Sequence, residues 1–198
     1  MHRSLRTGMA GVLAAAALAP AIGKAQSAPA APATPATAAA PAAAAMPARP
    51  ADVASVDAIV KAVYDVISGP AGAPRDWDRM RSLFAPEGRM MAVGKRPDGS
   101  VGMRPMTPDD YIARNTRTFA TTGFFESELA RTTETFGQVA HVFSTYEARH
   151  APSDATPFMR GVNSIQLVND GKRWYVLSLV WRAEDPGLPL PERYLQSR

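Results

Sequence analysis

The stretch from Arg160 to Arg182, RGVNSIQLVNDGKRWYVLSLVWR, restricts the fold more than any other part of the chain. Two β-rich runs flank Asn169-Asp170-Gly171. Asp-Gly is a favoured pair for a type I′ hairpin turn, whose central residues both take φ > 0. The run before the turn alternates, with Gly161, Asn163, Ile165 and Leu167 on one face and Val162, Ser164, Gln166 and Val168 on the other. The run after it is apolar on both faces, Trp174, Val176 and Val180 against Tyr175, Leu177, Leu179 and Trp181, as in a strand covered on both sides. Asn163 stands among apolar neighbours. A buried amide left unsatisfied costs roughly 1–3 kcal/mol, so Asn163 is either a structural hydrogen-bonder or a pocket group.

Upstream, Ser55 to Ser68 has helical periodicity, with Val56, Ile59, Val60, Val63 and Ile67 on one face, Tyr64 at its edge and Gly69-Pro70 as the stop. Asp76 caps a short helix that turns Trp77, Met80, Leu83 and Phe84 inward. Pro86-Glu87-Gly88 reads as a turn before a short hairpin. Thr107-Pro108-Asp109-Asp110 starts a third helix with Tyr111, Ile112, Asn115 and Phe119 along one side. Four strands follow, beginning near Phe124, Val139, Phe158 and Trp174. The tail from Asp185 is proline-rich, and Pro191 to Leu195 forms one helical turn or a flap.

Length and composition bound the rest. A chain of 198 residues suits one domain with appendages. His2, Arg3 and Arg6, then an apolar run from Met9 to about Ile22, then small residues around Gly23-Lys24-Ala25, make a secretory signal peptide over 1–25, and hence a periplasmic or secreted protein. Residues 26–51 are an Ala/Pro-rich spacer expected to be disordered. The absence of cysteine excludes disulfides and thiolate chemistry. The 22 basic and 18 acidic residues come close to balance once the basic residues of the signal are removed. That leaves no footprint for nucleic acid or an anionic membrane. No cofactor or metal motif is present: HExxH, the P-loop and GxGxxG are all missing.

The element order of two helices, a short hairpin, a third helix and four long strands resembles the NTF2-like superfamily, in its SnoaL-like and ketosteroid-isomerase-like branch. The strings DRMRSLFAPEGRM, FFESELARTTETFGQVAHVFSTYEARH and RGVNSIQLVNDGKRWYVLSLVW carry the resemblance, which covers about Val53 to Glu184. It implies an α+β cone over residues 52–184, with about three helices packed on a curved, mainly antiparallel sheet around an apolar pocket, and a C-terminal tail over 185–198. A homodimer through the outer sheet face is expected, a partner subunit covering one apolar face of the second strand. The isomerases carry a tyrosine on the first helix, a donor acid on a late strand and an aspartate base after the second helix. Tyr64 falls near the tyrosine position and Asn163 near the donor position. The base position falls in Met91-Ala92-Val93, which has no carboxylate.

The candidate ligand-binding residues are therefore Tyr64, Trp77, Phe84, Tyr111, Asn115, Phe119, Asn163 and Trp181. The candidate acid–base residues are His141 and Glu126, with Glu128 on the same strand face. An exposed strand face is the commoner home for such glutamates, and a lone histidine is weak evidence for a metal. Three functions fit: a binder of a small hydrophobic or carbonyl-containing ligand, the first choice where no base is recognisable; an isomerase, cyclase or dehydratase with Tyr64 and Asn163 as oxyanion donors; and a dimeric envelope interaction module.

Overall fold

Three helices begin where a side chain satisfies their first free N–H groups. Ser55 accepts from the Ala58 N–H at 3.1 Å to open α2 (Val56–Ile67). Asp76 accepts from the Arg79 N–H at 2.9 Å to open α3 (Trp77–Leu83). Thr107 and Asp110 form a reciprocal capping box at α4 (Pro108–Thr121). Such a cap contributes about 1 kcal/mol. The structure is a computed structural model that describes residues 46–196, all within one compact unit. The signal peptide and most of the spacer expected from the sequence lie outside the described residues.

One helix is unexpected. Spacer composition extends through Ala51, yet α1 (Pro50–Val53) is already helical. Asp52 accepts a forked pair of hydrogen bonds from Arg79 at 2.7 and 2.8 Å, and Arg49 reaches Asp76 at 2.7 Å. These pairs tie residues 49–53 to α3.

Among the described residues six strands form one sheet: β1 (Phe84–Lys95), β2 (Val101–Met106), β3 (Phe125–Phe136), β4 (Val139–Arg149), β5 (Met159–Asn169) and β6 (Trp174–Ala183). Their order is β2-β1-β6-β5-β4-β3. Only the β1–β6 pair is parallel. The α+β cone expected from the sequence is therefore the fold observed. Pro86-Glu87-Gly88 is not a free turn. It lies inside β1, where the register with β6 breaks between Phe84 and Arg89.

Two bulges decide which side chains face inward. On β6, Leu177 is an extra residue between the pairs Gln166–Ser178 and Leu167–Val176. On β3, Leu129 is extra between Glu128–Tyr146 and Ala130–Thr145. An extra residue shifts side-chain parity by one. Val176 before the β6 bulge and Leu179 after it are both buried, while Leu177 is 40% exposed. β6 thus reads as apolar on both faces because its alternation changes phase midway.

The β5–β6 connection also departs from the two-residue turn. Asn169 pairs with Trp174, leaving a four-residue loop. The Asn169 side chain accepts from the Gly171 N–H at 2.8 Å, and Asp170 accepts from the N–H groups of Lys172 and Arg173 at 2.8 and 2.9 Å. Gly171 has φ of 90°, a conformation costly for other residues.

The core lies between α2, α3 and the inner sheet face, where Ile59, Leu83, Val142, Ile165, Leu167 and Val176 have no exposed surface. The C-terminal tail crosses the outer face: Tyr194 accepts from the Thr145 hydroxyl and packs against Phe143 with ring centroids 5.2 Å apart. It does not reach over the inner face. Arg160 pairs with Glu184 and Arg149 with Glu147 along its own strand, so the ion pairs do not run across β4 and β5. Among the described residues no helix is long and apolar enough to cross a membrane.

Candidate functional site

A cavity of about 700 Å³ opens between α4 and the inner sheet face, a volume suited to a drug-sized ligand. Its walls are mostly apolar, with Phe84, Met90, Phe119, Leu179 and Trp181 among them. Three polar side chains that are buried or half-buried line it from the sheet: Glu126, Tyr146 and Asn163. Arg104, Arg114 and His150 stand on its lining with exposed positions.

Glu126 is the one carboxylic acid that lines the cavity among the described residues. It is half-buried, opposite Ala148 on β4 and hydrogen-bonded to Asn163. Burial pushes its carboxyl up to about 7, and the hydrogen bond from Asn163 opposes the rise. A carboxyl with that property exists as both acid and base near neutral pH, which suits it to moving protons.

Asn163 begins a chain of buried hydrogen bonds. Its Nδ2 donates to Glu126 Oε1 at 3.2 Å and to the Tyr64 hydroxyl at 3.1 Å. Tyr64 lies 2.6 Å from Ser144 Oγ, and Ser144 donates to Glu128. Because Ser144 has one hydroxyl proton and spends it on Glu128, Tyr64 must donate to Ser144. The oxygen of Tyr64 then accepts from Asn163, so from Asn163 through Tyr64 and Ser144 the donors run toward Glu128, while the other Asn163 proton goes to Glu126. Arg131 pairs with Glu128 at 3.2 Å and closes it. Burial raises the Tyr64 pKa further above its ordinary value. Tyr64 is thus a neutral structural donor behind the cavity wall.

Tyr146 differs. It is 2% exposed and its hydroxyl has no hydrogen-bond partner among the described residues, yet it lines the cavity. Burial, with the Glu126 charge nearby, keeps it protonated. Room for that hydroxyl comes from Gly161, its partner on β5. A Cβ at 161 would sit 2.7 Å from the hydroxyl and 2.4 Å from the Arg182 carbonyl oxygen. A buried unpaired hydroxyl is costly; here it lies over Gly161, while the Tyr146 side chain forms part of the cavity wall.

Of the residues expected from sequence, Phe84, Tyr111, Asn115, Phe119, Asn163, Trp181 and Glu126 line the cavity. Tyr111 meets Trp181 edge-on at 6.3 Å, and Asn115 donates back to the Tyr111 carbonyl at 2.8 Å. Trp77 does not line it; its ring stacks on Phe119 from behind at 6.0 Å. Tyr64 is withheld by the network. His141, read as a base, lies on the outer face, where Nε2 is 3.2 Å from Ser164 Oγ. Strand parity separates it from Ser144 and Tyr146. Glu128 points inward but is spent on Ser144 and Arg131. Among the described residues no cluster of three metal-ligating side chains forms.

Sequence reading missed Tyr146. Its parity with Val142 and Ser144 on β4 was the available signal. It also missed Arg75, a mostly buried guanidinium that donates to the carbonyls of Ile67, Gly69, Pro70 and Ala73 and sits 5.1 Å over the Phe119 ring.

The strand order, the parallel β1–β6 contact and the helices closing a cavity on the inner face define an NTF2-like fold. No family model matches the sequence, and no curated relative matches it. Solved structures do. An NTF2-like protein of unknown function from Silicibacter pomeroyi is 20% identical, covering 66% of this chain and 94% of that one, with a TM-score of 0.44. The Kfla4162 protein of Kribbella flavida is 13% identical, covering 67% and 90%, with a TM-score of 0.49. A protein of cystatin-like fold from Nostoc punctiforme is 14% identical, covering 59% and 81%, with a TM-score of 0.43.

Proposed function

We propose that the cone binds a small, mostly apolar carbonyl compound and that Glu126 transfers a proton on it. The observation that carries this reading is that Glu126 and Tyr146 line one cavity and that the buried Tyr146 hydroxyl has no partner among the described residues. In the first half-step the Glu126 carboxylate takes a proton from the carbon next to the carbonyl. The C–H electrons move into the C–C bond, and the carbonyl oxygen takes up negative charge. The Tyr146 hydroxyl donates to that oxygen. Returning the proton to another carbon completes an isomerisation and regenerates the carboxylate. Asn163 holds the base rather than the oxyanion, because its Nδ2 protons go to Glu126 and Tyr64. Glu126 arrives from β3, which supplies the carboxylate that Met91-Ala92-Val93 lacks.

The test is hydrogen–deuterium exchange. Enolisable and β,γ-unsaturated ketones are incubated with the protein in D2O and followed by NMR. Exchange above buffer, abolished in Glu126→Gln, is expected. Tight binding with no exchange by the wild type reduces the site to a carrier and overturns the catalytic part.

Two further proposals concern the setting of the site. The basic n-region and apolar run over residues 1–25 support export, which N-terminal sequencing of the mature protein tests. The outer sheet face supports pairing with a second copy, since Leu177 is 40% exposed there. Sedimentation of Gln166→Glu against wild type tests it; a wild-type monomer contradicts it.

A further inference from the structure

The arginines of this domain are mostly committed. Arg49, Arg79, Arg81, Arg131, Arg149, Arg160 and Arg182 meet carboxylates, and Arg75, Arg89 and Arg173 donate to backbone carbonyls. Arg96 donates to Ser100 and Arg193 to the Tyr194 hydroxyl. Among the described residues that leaves Arg104, Arg114 and Arg117 with neither a hydrogen bond nor an ion pair. Two of these three, Arg104 and Arg114, line the cavity.

They reach it from independent elements. Arg104 projects from the edge strand β2, opposite Ala92 of β1, which itself faces Trp181 of β6. Arg114 comes from α4, one turn beyond Tyr111. Both are exposed, whereas Tyr146 and Asn163 are 2% and 4% exposed, so the arginines mark the lip and the acid–base groups the interior. Among the described residues no carboxylate forms an ion pair with either arginine, although Asp110 feels the charge of Arg114, and Glu126 is the lone carboxyl of the lining. Asp110, one turn before Arg114, is held by the Thr107 N–H and hydroxyl at 2.9 and 2.8 Å. Asp109 is taken by Arg81 at 2.7 Å.

We propose that Arg104 and Arg114 form an anion-binding lip, so that the ligand is an amphiphile whose apolar, carbonyl-bearing body lies in the cavity and whose carboxylate meets the two guanidinium groups. The inference rests on the carbonyl-binding reading above and adds the charge of the substrate. A guanidinium fork matches a carboxylate bidentately and remains charged at any pH of interest. The apolar wall accommodates the body, and a neutral ligand would leave both cavity-lining guanidinium groups without an ion-pair partner.

The experiment is calorimetric titration of the whole protein at low salt with ω-benzoylalkanoates of increasing chain length and with their methyl esters. Each pair shares ketone, ring and chain, and differs only in charge. The expected result is tighter binding of the carboxylates by about three- to tenfold. Added salt should erode the preference, and the exposed double variant Arg104→Gln/Arg114→Gln should abolish it while still binding the esters. Esters binding as tightly as acids overturn the lip and leave the acid–base site standing. A preference that survives in the double variant overturns the assignment to these two arginines. Neither acids nor esters binding at any length overturns the lip and the cavity reading together.

Discussion

Asn163 Nδ2 donates to Glu126 Oε1 across 3.2 Å, and the same nitrogen donates to Tyr64 at 3.1 Å. One amide therefore links the carboxyl of the cavity to a buried chain that ends on Glu128. It fixes Glu126 in place without offering it a positive charge. A carboxylate so held keeps a high proton affinity, because a neutral donor offsets only part of its desolvation.

That proton affinity carries a stability signature. The folded-state pKa of Glu126 is raised from 4.5 to about 7, so between these values the native protein binds more protons than the unfolded chain. Its contribution then falls as pH rises through that window. Glu126→Gln removes the penalty. Urea denaturation at pH 8 should find the variant more stable than wild type by up to roughly 3 kcal/mol, with the difference shrinking toward pH 5. A variant equally or less stable at pH 8 would contradict the burial of the charge.

Tyr146→Phe should also stabilise the ligand-free protein, by about 1 kcal/mol, because it deletes a buried hydroxyl that has no partner. The same change should slow ketone exchange by on the order of a hundredfold, the scale of losing one oxyanion donor. Gain of stability with loss of exchange distinguishes a ligand donor from a packing residue.

Tyr64→Phe should do the opposite to stability. It strands one N–H of Asn163 and breaks the link to Ser144, both buried, at a cost of about 2 kcal/mol. The midpoint of denaturation at pH 7 reads it directly, and no change would mean the chain is not formed as described.

The N-terminal segment provides a fourth check. Asp52 accepts two bonds from Arg79, with side-chain exposures of 12% and 16%, and the Arg79 hydrogen bonds lower its pKa. Asp52→Asn leaves Arg79 only the longer contact to Asp65 at 3.9 Å and should cost about 2 kcal/mol. In wild type this share persists above the ordinary carboxyl range and is lost as pH falls below it. Wild-type stability in the variant would make residues 49–53 a passive extension.

Much of this was legible in the sequence. Caps at Ser55, Asp76 and Thr107 and the period of α2 are local signals, and they set the helices where expected. The phase shifts at Leu129 and Leu177 were not legible, since a bulge is chosen by cross-strand packing rather than by its own residues. That is why Glu126 and Glu128 read as an exposed pair and β6 as doubly covered. Asn163 announced itself as a polar residue on an apolar face. Tyr146 did not, because tyrosine is at home on either face of a strand and its missing partner appears only in three dimensions. His141 misled for the converse reason: its chemistry is conspicuous, but its parity turns it outward.

The central claim is most directly tested by carbon-detected NMR titration of the Glu126 carboxyl, assigned by comparison with Glu126→Gln. The account predicts a midpoint near 7, moving when a carbonyl ligand fills the cavity. A midpoint at the ordinary glutamate value near 4.5, unmoved by any ligand, would contradict it.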